Sequence, residues 1–213
     1  MQAARIRRHQ LNLLLRKLSM ATHSQGEKSE HALKPLPYNS ARKVTALNHL
    51  VSVFHYRGPV TELITRWKYR GMIELTDYIA TQMLDSKASL PPYDLVTIIP
   101  CHWQRRLVRG FDHMWLLANA LADRGIVDRP VPLIKQSRNL GFQHLKPQNE
   151  RQISPLQFQV KRPLKPTRII LIDDVVTTGS TLNAAAAALK AAGASTVTGL
   201  TIASAISQPT AHV

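Results

Sequence analysis

The chain has 213 residues, 44% hydrophobic and 19% charged, a globular balance that suffices for one well-buried domain with an appendage and not for two full enzyme domains. Its 28 lysines and arginines against 13 acids give a formal charge of +15, which calls for anionic partners, nucleic acid or a phosphorylated small molecule. Cys101 stands alone, which excludes an intrachain disulfide and a thiolate pair for zinc and suits a reducing, cytoplasmic setting, and no apolar run approaches the ~18 residues of a membrane span.

The charge is unevenly spread. Residues 1–50 hold nine basic residues against two acids, residues 91–165 twelve against five, and residues 166–213 two against two. Residues 1–50 read as a mobile basic arm and linker, with an amphipathic stretch (Ile6, Leu11, Leu14, Leu15, Leu18) followed by a polar run holding Pro35 and Pro37. A domain is expected over 51–207, with a tail at 208–213.

Within that domain, Val60, Leu63, Ile64 and Trp67 recur at helical spacing and predict a helix over Pro59–Tyr69; a second follows Gly71 over Ile73–Leu84. Leu95–Ile99, ended by Pro100, reads as a parallel strand buried on both faces, and Met114–Leu121 as a helix stopped near Gly125. Between them runs a basic loop with Arg105, Arg106 and Arg109. Val131–Ile134 is a short strand candidate, whereas residues 135–160 show no periodicity. Arg168–Ile172 is a β-branched strand, Ser180–Ala192 an alanine-rich helix closed by Gly193, and Thr196–Ile202 another strand, which together make a strand, helix, strand unit.

The sharpest signal lies where that unit turns. An apolar strand delivers Asp173 and Asp174, then Thr177, Thr178, Gly179, Ser180 and Thr181 lead into the helix. Backbone N–H groups at a helix start hold phosphate well, the hydroxyls add donors, and glycine admits close approach. Two carboxylates repel phosphate but accept hydrogen bonds from a diol, so a ribose phosphate matches both charges. A P-loop is excluded by the missing Gly-Lys pair, and a dinucleotide fingerprint by the single glycine.

This segment resembles the signature of type I phosphoribosyltransferases, and further landmarks are similar to the ComF/GntX-like subgroup. Those landmarks are Tyr56 to Val60, Trp67 to Gly71, Ile98 to Pro100, Arg105, Arg106, Arg109 to Phe111, and Gln143 with Arg151. The resemblance implies an α/β fold of type I phosphoribosyltransferase kind, a mainly parallel sheet with helices on both faces. It implies binding of 5-phosphoribosyl-1-diphosphate or a nucleotide, with Mg²⁺ held partly through water by Asp173 and Asp174, which are also the catalytic candidates. Phosphate falls to Thr177, Thr178, Gly179, Ser180 and Thr181, and diphosphate to Arg105, Arg106 and Arg109.

Members of the subgroup usually begin with a four-cysteine zinc module. Residues 1–50 hold no cysteine, so no zinc is expected. Ser154 stands where the subgroup usually has Asn, and Thr177 where purine-salvage relatives carry an acid, which leaves no general base for a purine. The arginine loop has two open readings, diphosphate binding or a solvated or nucleic-acid contact. Lys68 could reach the same site but ranks lower, since with Arg70 it reads as the exposed side of a helix end, and His102 and His113 read as bystanders. Two functions therefore stand: transfer of the phosphoribosyl group to a nucleophile with release of diphosphate, or a non-catalytic competence or DNA-uptake factor that binds single-stranded DNA and whose phosphoribosyl site senses a nucleotide or is vestigial.

Overall fold

The computed structural model describes residues 16, 36–37, 45–101, 111–136 and 158–205. In chain order its elements are β1 (Leu36–Pro37), β2 (His49–His55), α1 (Pro59–Tyr69), α2 (Leu75–Gln82), a 3₁₀ segment (Leu84–Ser89), β3 (Leu95–Ile98), α3 (His113–Asp123), β4 (Ile134–Gln136), β5 (Phe158–Val160), β6 (Thr167–Val176), α4 (Ser180–Ala191) and β7 (Ala194–Ser204). The main sheet runs β1-β2-β7-β6-β3; β2, β7, β6 and β3 are mutually parallel, and the two-residue β1 is antiparallel at one edge. A separate antiparallel pair joins β4 and β5. The expected mainly parallel α/β sheet is present, with the strand that ends near Pro100 beside the acid-bearing strand.

Side chains of β6 alternate between two cores because a strand points successive residues to opposite faces. Ile170 and Ile172 pack with α1, α2 and α3 on one face, around Leu63, Ile64, Trp67, Ile79, Leu117 and Leu121. Ile169 and Leu171 pack on the other face against Leu182, Ala185 and Leu189 of α4 and against Ile134 and Phe158 of the small hairpin. Helices therefore cover both faces, and every parallel strand presents its carboxyl end to one edge.

Helix α1 starts where the sequence says it should. Pro59 occupies the first turn with its φ already set, Glu62 and Arg66 pair one turn apart at 2.6 Å, and Leu63, Ile64 and Trp67 are buried. Trp67 is fully enclosed, and its indole N–H donates to Thr76 Oγ1 at 2.9 Å, which pins the end of α1 to α2.

Two differences from the sequence reading concern the ends of elements. The fold is already formed before residue 51: Leu47 and Leu50 are buried, Asn48 exchanges two hydrogen bonds with Val197, and β2 begins at His49. At the other boundary, the acid-bearing strand does not stop at Ile172 but continues through Asp173 and Asp174 to Val176, so both carboxylates are part of the sheet.

Asp94 and Arg168 tie the entry ends of β3 and β6. The carboxylate accepts from the Arg168 backbone N–H at 2.8 Å and from its guanidinium at 2.6 and 3.1 Å. The side-chain hydrogen bond from Arg168, then its backbone N–H, hold Asp94 down to about 2. A carboxyl depressed in the folded state stabilises fully above its unfolded value of about 3.9, and that contribution is lost as pH falls through the folded value. Arg168→Leu should therefore move the Asp94 titration, followed by carboxyl NMR, up toward about 3.9. A second expectation concerns Gly193, which follows α4 at φ +115° and whose added Cβ would meet the Leu164 carbonyl oxygen at 2.2 Å. Gly193→Ala should cost about 1–3 kcal/mol in denaturant unfolding, and an unchanged midpoint would contradict it.

Candidate functional site

The carboxyl edge of β6 carries the site. Asp173 stands in register with Thr201 of β7, which stands in register with Ser52 of β2. The Ser52 and Thr201 hydroxyls hydrogen-bond each other at 2.6 Å beneath the surface. Asp174, one residue on, turns to the opposite face and meets α1 and α3. The two acids that look equivalent in the sequence are thus separated by the pleat.

Their surroundings differ. Asp174 is buried, and its Oδ1 accepts from the Val175 N–H at 2.6 Å. Its Oδ2 lies 2.6 Å from Lys68 Nζ and 3.2 Å from His113 Nε2. Burial works against the Asp174 charge, but the His113 hydrogen bond and the Lys68 ammonium outweigh it and hold the carboxyl down at about 2. An ionised carboxylate only accepts, so His113 Nε2 carries the hydrogen in this contact. Asp173 goes the other way. Desolvation, then the negative charge of Asp174, push it above the ordinary carboxylate range, against a backbone hydrogen bond from Asp174 and the more distant Lys68 charge. Asp173 Oδ1 accepts the Asp174 N–H at 2.9 Å, and its second oxygen receives no hydrogen bond among the described residues.

Beyond Val176 the chain enters the hydroxyl loop. Thr177 and Thr178 are exposed, Gly179 is buried, and Ser180 and Thr181 are half-buried. Gly179 adopts φ +75° and ψ 0° as the residue before α4, a left-handed conformation that costs an L side chain roughly 1–2 kcal/mol. Gly179 offers α4 no capping side chain, and the Thr178 hydroxyl oxygen accepts the Ser180 N–H at 3.3 Å. The Thr178 and Ser180 hydroxyls also bond each other at 2.6 Å across the loop mouth. N–H groups of the first turn, the positive end of the helix dipole and the paired hydroxyls are the kind of donors that receive an anion. Residues 177–181, the expected phosphate residues, are consecutive in the segment that leads from β6 into α4.

Sequence reasoning gives too little weight to Lys68 and His113. Lys68 is not solvated: its side chain is 17% exposed and lies in the ion pair with Asp174, whereas Arg70, two residues on, is exposed as expected. His113 is no bystander either, being buried, hydrogen-bonded to Asp174 and set edge-on to Trp67 with ring centroids 4.9 Å apart. The signal that finds Lys68 is its place directly after Trp67, whose burial fixes the helix end. Arg105, Arg106, Arg109, His102, Gln143, Arg151 and Ser154 lie outside the described residues.

Magnesium keeps several waters and takes one or two carboxylates beside phosphate oxygens. Asp173 fits that requirement with its open oxygen. Asp174 enters with both oxygens engaged. Among the described residues no group of three or more His, Cys, Asp or Glu is placed to hold a metal ion, and no helix is long and apolar enough to cross a membrane.

Comparison with known proteins agrees with the fold. The sequence profile of the phosphoribosyl transferase domain matches residues 117–211, a span that includes β6, the hydroxyl loop and α4. Competence protein ComFC of Bacillus subtilis is 33% identical over 156 residues, covering 69% of this chain and 62% of that protein. These matches support a ComF-like family with the phosphoribosyltransferase fold. Another relative, DNA utilization protein YhgH of Salmonella typhi, is 28% identical over 155 residues, covering 70% of this chain and 68% of its own. Competence protein ComFC of Streptococcus pneumoniae is 29% identical over 149 residues, covering 68% and 64%. The chain thus spans about three fifths of the length of its Bacillus subtilis relative.

Gly179→Ala tests the loop without any ligand. The left-handed conformation predicts a loss of about 1–2 kcal/mol in denaturant unfolding, while an Ala that leaves the midpoint unchanged would show that the loop relaxes freely.

Proposed function

We propose that this ComF-like chain binds 5-phosphoribosyl-1-diphosphate at the carboxyl edge of β6 and transfers its phosphoribosyl group to a nucleophile. One observation carries the reading: Asp173, with an open oxygen, lies near the carboxyl end of β6, which leads into a hydroxyl loop whose Gly179 is left-handed and gives α4 no capping side chain. The 5-phosphate takes the N–H and hydroxyl donors of residues 177–181, and the ribose diol donates to the Asp173 carboxylate. Arg105, Arg106 and Arg109 are the proposed partners of the diphosphate, since guanidinium forks match phosphate oxygens bidentately.

The proposed reaction breaks the bond between C1 of the ribose and the diphosphate oxygen, and diphosphate leaves with the electron pair. The nucleophile forms the new bond to C1 and releases its proton to solvent. Positive charge builds on the sugar ring as the bond breaks, and the carboxylate of Asp173 beside it favours that state. Magnesium, held by Asp173 and by water, would neutralise diphosphate charge; Asp174, whose two oxygens already have partners, stands behind Asp173 in this reading. The absence of any cysteine in residues 1–50 supports a chain that works without structural zinc.

A second reading is supported by the charge of +15 and by relatives named for competence and DNA utilization. In it the chain contacts single-stranded DNA, and the phosphoribosyl site senses a nucleotide.

Three outcomes are expected. Thr178→Val with Gly179→Val should abolish binding of 5-phosphoribosyl-1-diphosphate in calorimetry, because a donor is deleted and the cradle is filled; wild-type affinity in that variant would refute the site. Steady-state release of diphosphate in the presence of acceptor bases distinguishes transfer from sensing. If the basic arm binds DNA, removing residues 1–35, which leaves β1 in place, should flatten the dependence of log affinity on log salt by roughly 0.7 for each phosphate that the arm neutralises. An unchanged slope would remove the arm from the DNA reading.

A further inference from the structure

Asp174 raises a question that the proposed reaction does not answer. A buried carboxylate costs free energy unless it is paired and hydrogen-bonded, yet this one lies beside a ligand site with both oxygens already engaged. Its partners come from three directions: the Val175 N–H on β6, Lys68 at the end of α1 and His113 at the start of α3. Each partner is itself held. Trp67, next to Lys68, is locked to Thr76, and the His113 ring stands edge-on to Trp67. Asp112 caps α3 by accepting the Met114 N–H at 3.0 Å, which fixes the turn from which His113 projects. The link to the ligand side is short, because the Asp174 backbone N–H donates to Asp173 Oδ1 at 2.9 Å.

We propose that Asp174 is an internal anchor and that Lys68 and His113 are positioning residues that clamp it, so that the Asp174 N–H aims the open oxygen of Asp173 at the ribose diol. The proposal rests on the reading of the β6 edge as a phosphoribosyl site. It divides the labour between the adjacent acids: Asp173 meets the ligand, and Asp174 fastens α1 and α3 to the motif strand. Removing one member of a buried ion pair leaves the other charge unpaired, which is why single substitutions here should be far worse than paired ones. Ligand affinity should respond through the aim of Asp173, while the phosphate cradle, built on the loop before α4, should not respond.

Two measurements on the full chain test this. In the absence of ligand, denaturant midpoints are compared for wild type, Lys68→Met, Asp174→Asn and the double variant. The clamp predicts that each single substitution lowers the midpoint and that the double variant falls by clearly less than their sum; additive shifts would overturn the clamp. At a temperature where the variants are folded, calorimetry then measures two probes, magnesium with 5-phosphoribosyl-1-diphosphate, and inorganic phosphate. Lys68→Met and His113→Leu should weaken the first at least tenfold and leave the second within twofold. His113→Gln, which retains an amide N–H, should restore most of the loss. Equal weakening of both probes would make Lys68 a direct phosphate contact, and no weakening of either would make the clamp irrelevant to the ligand, so both overturn the proposal. Wild type that binds neither probe would contradict the phosphoribosyl site itself, and the midpoint cycle would still decide the clamp.

Discussion

Two carboxylates on consecutive residues repel each other, and everything at the carboxyl edge depends on how Asp173 and Asp174 are kept from sharing one environment. The pleat of β6 does the first part by sending them to opposite faces. Lys68 and His113 do the second by surrounding Asp174 with a cation and a hydrogen-bond donor. Asp174 is then firmly ionised, while burial and that neighbouring charge raise the Asp173 carboxyl above the ordinary range; in the proposed complex, magnesium and the positive charge of the sugar ring would draw it back to the anionic form. Perturbation in opposite directions within one residue of sequence is the pattern expected where a strand end is organised around chemistry rather than around folding alone.

The rest of the architecture serves that edge. Parallel strands put their carboxyl ends together, so the loop before α4, the polar row of Ser52, Thr201 and Asp173, and the start of α3 all collect there. Apolar contacts hold the layers in place: α4 lies on one face with Leu182 and Leu189, and α1 to α3 lie on the other around Trp67. Because Trp67 is anchored to Thr76, the neighbouring Lys68 is held where Asp174 can use it. The loop itself relies on N–H groups and hydroxyls, in keeping with a C-terminal segment of no net charge.

Much of this is legible in the sequence. The bounds of α1 follow from Pro59 and the spacing of Leu63, Ile64 and Trp67, and α4 is announced by Ser180 and ended by Gly193. The double acid followed by Thr177 to Thr181 marks the site by composition alone. Strand β2 escapes a sequence reading because its residues, His49 to His55, straddle the border of a basic, histidine-containing stretch that reads as linker; what makes it a strand is the place between β1 and β7, a tertiary fact. The clamp is hidden for a related reason. Lys68 and Asp174 belong to α1 and β6, and His113 to α3, so no local pattern links them. Exposure of a lysine at a helix end is the usual outcome, and only the fully buried Trp67 overrides it here.

The division of labour between the two acids is the central claim, and calorimetric titration of Asp173→Asn with magnesium and 5-phosphoribosyl-1-diphosphate tests it most directly. Asparagine keeps the shape and the oxygen that accepts the Asp174 N–H while replacing the open oxygen offered to the diol with an amide NH₂, which donates. The account predicts a folded protein with an unperturbed Lys68 and His113 clamp and affinity reduced at least tenfold. Wild-type affinity in that variant would contradict it.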